Sequence, residues 1–357
     1  MTADALARRL SGDHEPAIPI GLSSLASWAF AGTDLAPIGS RLVERVMADA
    51  KDAAALMDLS TIMQLVGDRD GGMAWQAHAL RVQRLYRRPP AHVSPDGIRL
   101  LALLAPGDFK ANTPLEFLLE DSDVTLDMQY VVPGSPLDGP IPDHDVAFVA
   151  VGEADENGAL LRQIADRARS WPRPVLNDPE RIALLSRDGA CGLLESAPGL
   201  VMPMSGRIGR EVHDGVDYRG PDGLVRTYRI AMIDGRPFTF RLTISEHRGG
   251  RDLGGGMGES AEKREEEARF MADFEDGFAR RHETALRAMA ERIGLDYFVF
   301  DCTETPDGKL VLLEGGVAMI VHSMDRPELF PYRPTQMRKI RDAFRAMLRH
   351  KCGQALV

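Results

Sequence analysis

Apolar residues recur at three-to-four spacing over residues 22–30 and 38–50, with Pro37 where a helix can begin, so the chain opens on helices. A clearer pair follows. Leu56, Leu59, Ile62, Met63 and Val66 make one stripe over 53–66, and Gly67-Asp68-Arg69-Asp70-Gly71 interrupts it. Trp75, Ala79, Leu80, Val82 and Leu85 make a second stripe over 73–88, stopped by Pro89-Pro90. The pattern changes after Asp96-Gly97. Residues 98–104 are a short, almost wholly apolar run between Pro95 and Pro106, which suits a buried parallel strand. Thr113-Pro114 supplies a cap and a first helical residue for 115–119. Runs 124–132 and 145–151 read as two more strands, and 157–171 reads as a helix with Leu160, Leu161, Ile164 and Ala168 on one stripe. Strand, helix, strand, strand, helix is the order of an open α/β domain.

Asn177-Asp178-Pro179-Glu180 is a strong helix start, and Leu200-Val201-Met202-Pro203 reads as a short strand. Two strand-like runs, 225–234 and 236–245, meet at Asp234-Gly235, a hairpin signal. Six glycines fall between Gly249 and Gly258 and predict a flexible loop. Residues 260–293 predict one long helix. Its start, 262–269, reads as a solvated charged face, while Phe270, Phe274, Phe278, Leu286, Met289 and Ile293 form the buried stripe. A closing hairpin over 295–301 and 309–314 turns at Thr305-Pro306-Asp307-Gly308, and 335–349 is a last amphipathic helix.

Composition narrows the function classes. Among 357 residues, 43 Lys and Arg stand against 53 Asp and Glu, a net charge of −10, so no overall basic field attracts nucleic acid or an anionic membrane. Aromatic residues are only 6%, and no aromatic-plus-basic stripe is present. No apolar run approaches the roughly 20 residues of a membrane-spanning helix. The first ten residues carry Asp4, Arg8 and Arg9 without the apolar core of a secretion signal, so a cytoplasmic protein is expected. Cys191, Cys302 and Cys352 are too few and too far apart for a disulfide framework or a cysteine-built zinc site. Neither common glycine-rich phosphate loop occurs, nor the serine elbow of a hydrolase.

Strand alternation puts Tyr297, Val299 and Asp301 on one face, and Leu310, Leu312 and Glu314 on one face of the partner strand. Asp301 and Glu314 then close adjacent strands and can point into one space, where two carboxylates suit Mg²⁺ with phosphate and water completing the shell. Equally, Asp301 can be a strand-end residue and Glu314 a turn cap. Arg226, Arg229, Arg236 and Arg241 lie in or beside the 225–245 hairpin. Their planar guanidinium groups suit phosphate or carboxylate, or form the charged outer face of an antiparallel pair. Cys302 follows Asp301 and so points to the opposite face, into the core. His247 and His322 with Asp301 or Glu314 have the ingredients of a transition-metal site, without a ligand spacing in the sequence.

Helix, turn, helix and proline over 53–90 resembles a single tetratricopeptide unit. Farther on, Asn177-Asp178-Pro179-Glu180-Arg181, Tyr228-Arg229-Ile230, Asp234-Gly235-Arg236-Pro237, Gly294-Leu295-Asp296-Tyr297-Phe298-Val299-Phe300-Asp301-Cys302 and Leu313-Glu314 occur in an order that resembles the ATP-grasp family. The resemblance covers roughly 96–349. It implies an α/β, ATP-grasp-like fold: an open α/β domain and an antiparallel-sheet C-terminal domain, preceded by an all-α segment. The divisions are a helical segment over 1–92, an α/β domain over 93–175, an ATP-grasp-like domain with a short central lid over 176–349, and a tail over 350–357. Carried over by position, Asp301 and Glu314 are magnesium ligands, Arg229 and Arg241 face the ATP phosphates, and His247 joins them at the cofactor.

The implied activity is ligation of a carboxylate to an amine or thiol through an acyl phosphate, on a small or peptide substrate, with the N-terminal helices open to a protein partner. Three departures point to an alternative, a degenerate ATP-grasp protein that binds a partner or uses the old pocket without turning over ATP. Gly316 stands where the family has a second ligand after the metal Glu, residues 204–226 are too short for the usual lid, and the loop after Arg241 is glycine-rich.

Overall fold

Four helices open the described chain: α1 (Leu22–Phe30), α2 (Ala36–Ala48), α3 (Ala53–Leu65) and α4 (Arg69–Val82). The computed structural model describes residues 15–134, 141–202, 207–208, 211–212, 219–246 and 256–354. Asp52 caps α3 by accepting from Ala55 N, and Asp68 caps α4 by accepting from Gly71 N. The interruption expected at 67–71 is therefore a short turn and the next helix start. Leu25, Leu35, Leu42, Leu59 and Ile62 form the apolar cluster among these helices.

Residues 85–88, expected as the end of the second helix, form a strand, β1 (Leu85–Arg88). Leu85 sits on the helical stripe by coincidence of spacing. The alternation that wins buries Tyr86 completely, edge-on to Tyr130 at 5.8 Å, and pairs Arg87 with the directly opposed Asp127. The remaining strands are β2 (Arg99–Leu104), β3 (Thr125–Tyr130), β4 (Val146–Val149) and β5 (Val175–Leu176). They run parallel in the order β1-β3-β2-β4-β5, with β1 antiparallel at the edge. A short helix, α5 (Leu115–Leu118), follows β2, and α6 (Gly158–Ala168) precedes β5. All residues of β2 after Arg99 are buried, as a strand covered on both faces requires.

This sheet and the N-terminal helices make one compact unit, residues 1–151, 159–176 and 348–357; residues 152–158 and 177–347 make the second. In the second unit, α7 (Pro179–Ile182) starts at the Asp178 cap, and α8 (Arg187–Leu194) follows. β6 (Leu200–Val201) comes next, and the short pair β7 (Arg207–Ile208) and β8 (Glu211–Val212) falls in the expected lid; most of the lid and His247 lie outside the described residues. β9 (Val225–Ile233) and β10 (Arg236–Ser245) form the expected hairpin. Asp234 and Gly235 both take positive φ, 49° and 74°, as its two-residue turn demands. With β11 (Tyr297–Glu304) and β12 (Leu310–Gly316) the sheet order is β10-β9-β11-β12-β6.

The single helix expected over 260–293 is broken. It comprises α9 (Ala261–Ala272), a π-helical turn (Phe274–Ala279) and α10 (Glu283–Ile293). Around the wide turn Phe274 and Phe278 stack at 5.8 Å, Tyr228 packs on Phe278 at 4.7 Å, and His282 bonds Glu304 at 2.7 Å. The last helix is α11 (Arg333–Gln354). The class is mixed α/β with a helical start, as the sequence predicts. Among the described residues no helix is long and apolar enough to cross a membrane.

Candidate functional site

The four residues singled out in the hairpins stand in one row across the second sheet. Arg241 on β10 opposes Arg229 on β9, Arg229 opposes Asp301 on β11, and Asp301 opposes Glu314 on β12. Directly opposed residues project to the same face, so the row presents two cations and two anions side by side. Two bulges set it. The register shifts between Thr239 and Arg241, leaving Phe240 unpaired, and again where Cys302 opposes Leu312 and Leu313 is skipped. The expected grouping of Leu312 with Glu314 therefore fails, because a bulge reverses strand parity: Leu312 opposes buried Cys302, and Glu314 is exposed beside Asp301. Nor does Asp301 end its strand, since β11 runs on to Glu304.

The segment after β12 supplies partners to this row. Arg229 gives Asp301 a two-pronged ion pair, Nε to Oδ1 at 2.8 Å and Nη2 to Oδ2 at 2.9 Å, and donates Nη1 to Ile320 O at 3.3 Å. Arg241 donates Nη2 to both oxygens of Asp325 at 3.0 and 3.1 Å. Asp325 also takes Arg333 Nη1 at 2.8 Å. Arg333 then reaches Glu267 through Nε and Nη2, and Tyr332 OH donates to Glu267 at 2.7 Å. Glu267 is fully buried, an exception within the expected solvated face at 262–269, where Glu262, Glu265 and Arg269 are exposed. His322 is buried with its ring 5.4 Å from Phe240, and its Nδ1 accepts from Met324 N. Burial first, then Arg241, Arg333 and Arg229, push its pKa down to about 4 against the pull of Asp325, so the ring is neutral near pH 7.

Asp325, Glu267, Arg333 and Glu153 are marked by no local pattern in the sequence. Arg226, by contrast, is spent on Asp222 and Glu266. Cys302 is core as expected, completely buried and with its thiol pKa pushed well up by burial.

A divalent cation does not fit the row as it stands. Both oxygens of Asp301 are held by Arg229, and 14% of the carboxylate side chain is exposed. Among the described residues no group of three His, Cys, Asp or Glu side chains is placed to hold a metal ion. Gly316 faces the same side as Glu314, and its place is taken: Glu153 accepts from Val317 N at 3.2 Å, and a Cβ at 316 would collide with Glu153 Oε1. Burial and the neighbouring Glu314 raise the Glu153 pKa. Gly316→Ala is accordingly expected to push the Glu153 carboxylate aside and cost its bond to Val317 N, about 0.5–1.5 kcal/mol. Thermal unfolding checks this, and in a Glu153→Ala chain, where that bond is already gone, Gly316→Ala should add little further loss.

No family profile matches the chain, and no curated protein matches it in sequence. Solved structures are similar to part of the chain in fold. The ATP-grasp ligase PsnB, complexed with precursor peptide PsnA2 and AMPPNP, is 14% identical; the match covers 72% of this chain and 100% of that one, with a TM-score of 0.36. The VanG D-Ala:D-Ser ligase from Enterococcus faecalis is 12% identical over 71% and 99%, with a TM-score of 0.39. The D-alanine-D-alanine ligase from Coxiella burnetii is 11% identical over 72% and 97%, at 0.41.

Proposed function

We propose that the chain is a ligase-type ATP-grasp protein whose charged row is turned inward, and that it binds its ligand without turning over ATP. The closed row carries this reading. Phosphoryl transfer depends on cationic groups left free to neutralise phosphate charge as it develops. Here Arg229 is matched by Asp301 and Arg241 by Asp325, both pairs being largely buried. Freeing either carboxylate for a metal would leave an uncompensated guanidinium in a poorly solvated place, a penalty of several kcal/mol. The missing oxygen at 316 adds to that cost. A cytoplasmic setting and a protein partner on the N-terminal helices, where Trp28 and Phe30 are exposed, belong to the same proposal.

A second reading has one observation in its favour. Arg241 Nε is buried without a partner among the described residues, a donor that an anion entering the row would satisfy. In that reading the chain is an ATP-dependent carboxylate–amine or carboxylate–thiol ligase on a small or peptide substrate. Arg229 and Arg241 would then exchange their carboxylates for phosphate oxygens, with His247 beside them and Mg²⁺ on Asp301 and Glu314.

Calorimetric titration of the full chain with ATP and AMPPNP, with and without Mg²⁺, separates the two. No magnesium-dependent binding at millimolar nucleotide, and no nucleotide-dependent phosphate release, is the expected result. Magnesium-dependent binding that disappears in Asp301→Asn would overturn it in favour of the ligase.

A further inference from the structure

We infer that a cavity in the first unit, beneath the N-terminus of α1, is a binding site for a small organic ammonium ion. The cavity is about 90 Å³ and lies past the carboxyl ends of β2 and β3, where Leu104 and Tyr130, the last residues of those strands, line it. Crevices at that end of a parallel sheet are where open α/β folds take ligands. The site is independent of the charged row in the second unit.

Its polar wall is acceptor-rich and acidic. Asp58, Asp108 and Glu116 line it; Asp108 is matched by Arg69 at 2.8 Å, and among the described residues no Lys, Arg or His lines the wall itself. Asp58 accepts from Ile20 N at 2.8 Å and Gly21 N at 3.1 Å; Glu116 accepts from Leu22 N and Ser23 N at 3.1 and 3.2 Å, and from Ser23 Oγ at 3.4 Å. These bonds fix both carboxyl groups and leave lone pairs over, since each carboxylate oxygen accepts about two hydrogen bonds.

Burial pushes the Asp58 pKa up to about 6, with the Glu116 charge adding to it, and burial raises that of Glu116 as well. Arg45 and Arg88 act on these carboxyls only from outside the wall.

Two further wall groups have no hydrogen-bond partner among the described residues. Thr113 is 2% exposed and its Oγ1 is unbonded, as is the buried Gln64 Oε1. Unpartnered buried polar groups in native folds call for water or a ligand. Two fixed acids and two unmet acceptors, with no cation in the wall, match a group that carries charge and several N–H donors at once. Leu22, Met57, Leu104 and Met128 supply an apolar wall for its alkyl part. The volume admits about three waters at roughly 30 Å³ each, so its occupant is a ligand of only a few heavy atoms.

The probe is n-butylammonium chloride, titrated calorimetrically into the full chain, with n-butanol as the uncharged control of similar size. Saturable butylammonium binding is expected, with butanol at least about tenfold weaker. Thr113→Val should weaken butylammonium about tenfold without lowering Tm, because the lost hydroxyl bonds nothing in the protein. Should that variant unfold, Gln64→Leu carries the same test. No saturable heat below about 20 mM, the result of a cavity holding only water, would overturn the proposal. Equal affinity for butanol, or unchanged butylammonium affinity in both variants, would do so too.

Discussion

Replacing Glu267 by alanine is expected to destabilise the second unit by about 3–5 kcal/mol, the range for breaking one side of a buried ion pair. The carboxylate is 0% exposed and Arg333 7%, with three contacts between them from 2.7 to 3.1 Å. Glu267 also accepts from Tyr332 OH and from the Leu242 backbone at 3.2 Å, so its removal strands a hydroxyl and an amide as well as a cation. Asp325 keeps part of Arg333 satisfied, which holds the loss within that range. Chemical denaturation read by far-ultraviolet circular dichroism measures it. The double variant Glu267→Ala/Arg333→Met should regain a large part, because removing both charges is cheaper than leaving one unpaired. A loss below about 1 kcal/mol in Glu267→Ala would mean that water reaches Arg333 and that the network does not hold the segment after β12 in place.

The two halves of this network differ in how visible they are in the sequence. Arg229, Arg241, Asp301 and Glu314 sit in strands whose alternation and Asp234-Gly235 turn announce a hairpin, so their elements and rough positions follow from local pattern. Glu267 does not. It lies in the charged run 262–269, and its partner Arg333 is 66 residues away, so nothing near it marks one acid of the run as buried. Asp325 is hidden for the same reason, 84 residues from Arg241. The bulges at Phe240 and Leu313 are also invisible to alternation, which groups Leu312 with Glu314 although the fold puts them on opposite faces. Residues 85–88 fail differently: Leu85 continues the helical spacing, and only pairing with β3, where Tyr86 and Arg87 find Tyr130 and Asp127, makes the strand preferable. The glycine at 316 was legible as a departure, but its cause was not, because Glu153 reaches that space from 164 residues upstream of Val317.

Acidification from pH 7 to pH 4 is expected to take up to about 3 kcal/mol from the second unit through His322 alone. In the unfolded chain the ring titrates near 6.5, whereas in the fold burial and Arg241, Arg333 and Arg229 hold it to about 4 against Asp325. The unfolded state therefore takes the proton first. Stability attributable to the neutral ring is complete above pH 6.5, falls as pH drops from 6.5 to about 4, and levels off below.

Asp58 in the first unit has the opposite sign. Its pKa is raised from 3.8 to about 6, so the folded state takes the proton first and gains stability as pH falls between those values. The tryptophans tell the two apart. Trp28, Trp75 and Trp171 all belong to the first unit, so their fluorescence follows Asp58. Amide exchange along β9 and β11 follows His322. His322→Gln should flatten the exchange-derived slope between pH 6.5 and 4.5 and leave the fluorescence slope as it was. An unchanged exchange slope would show that the His322 ring is charged in the fold near pH 6, with Asp325 outweighing the three arginines.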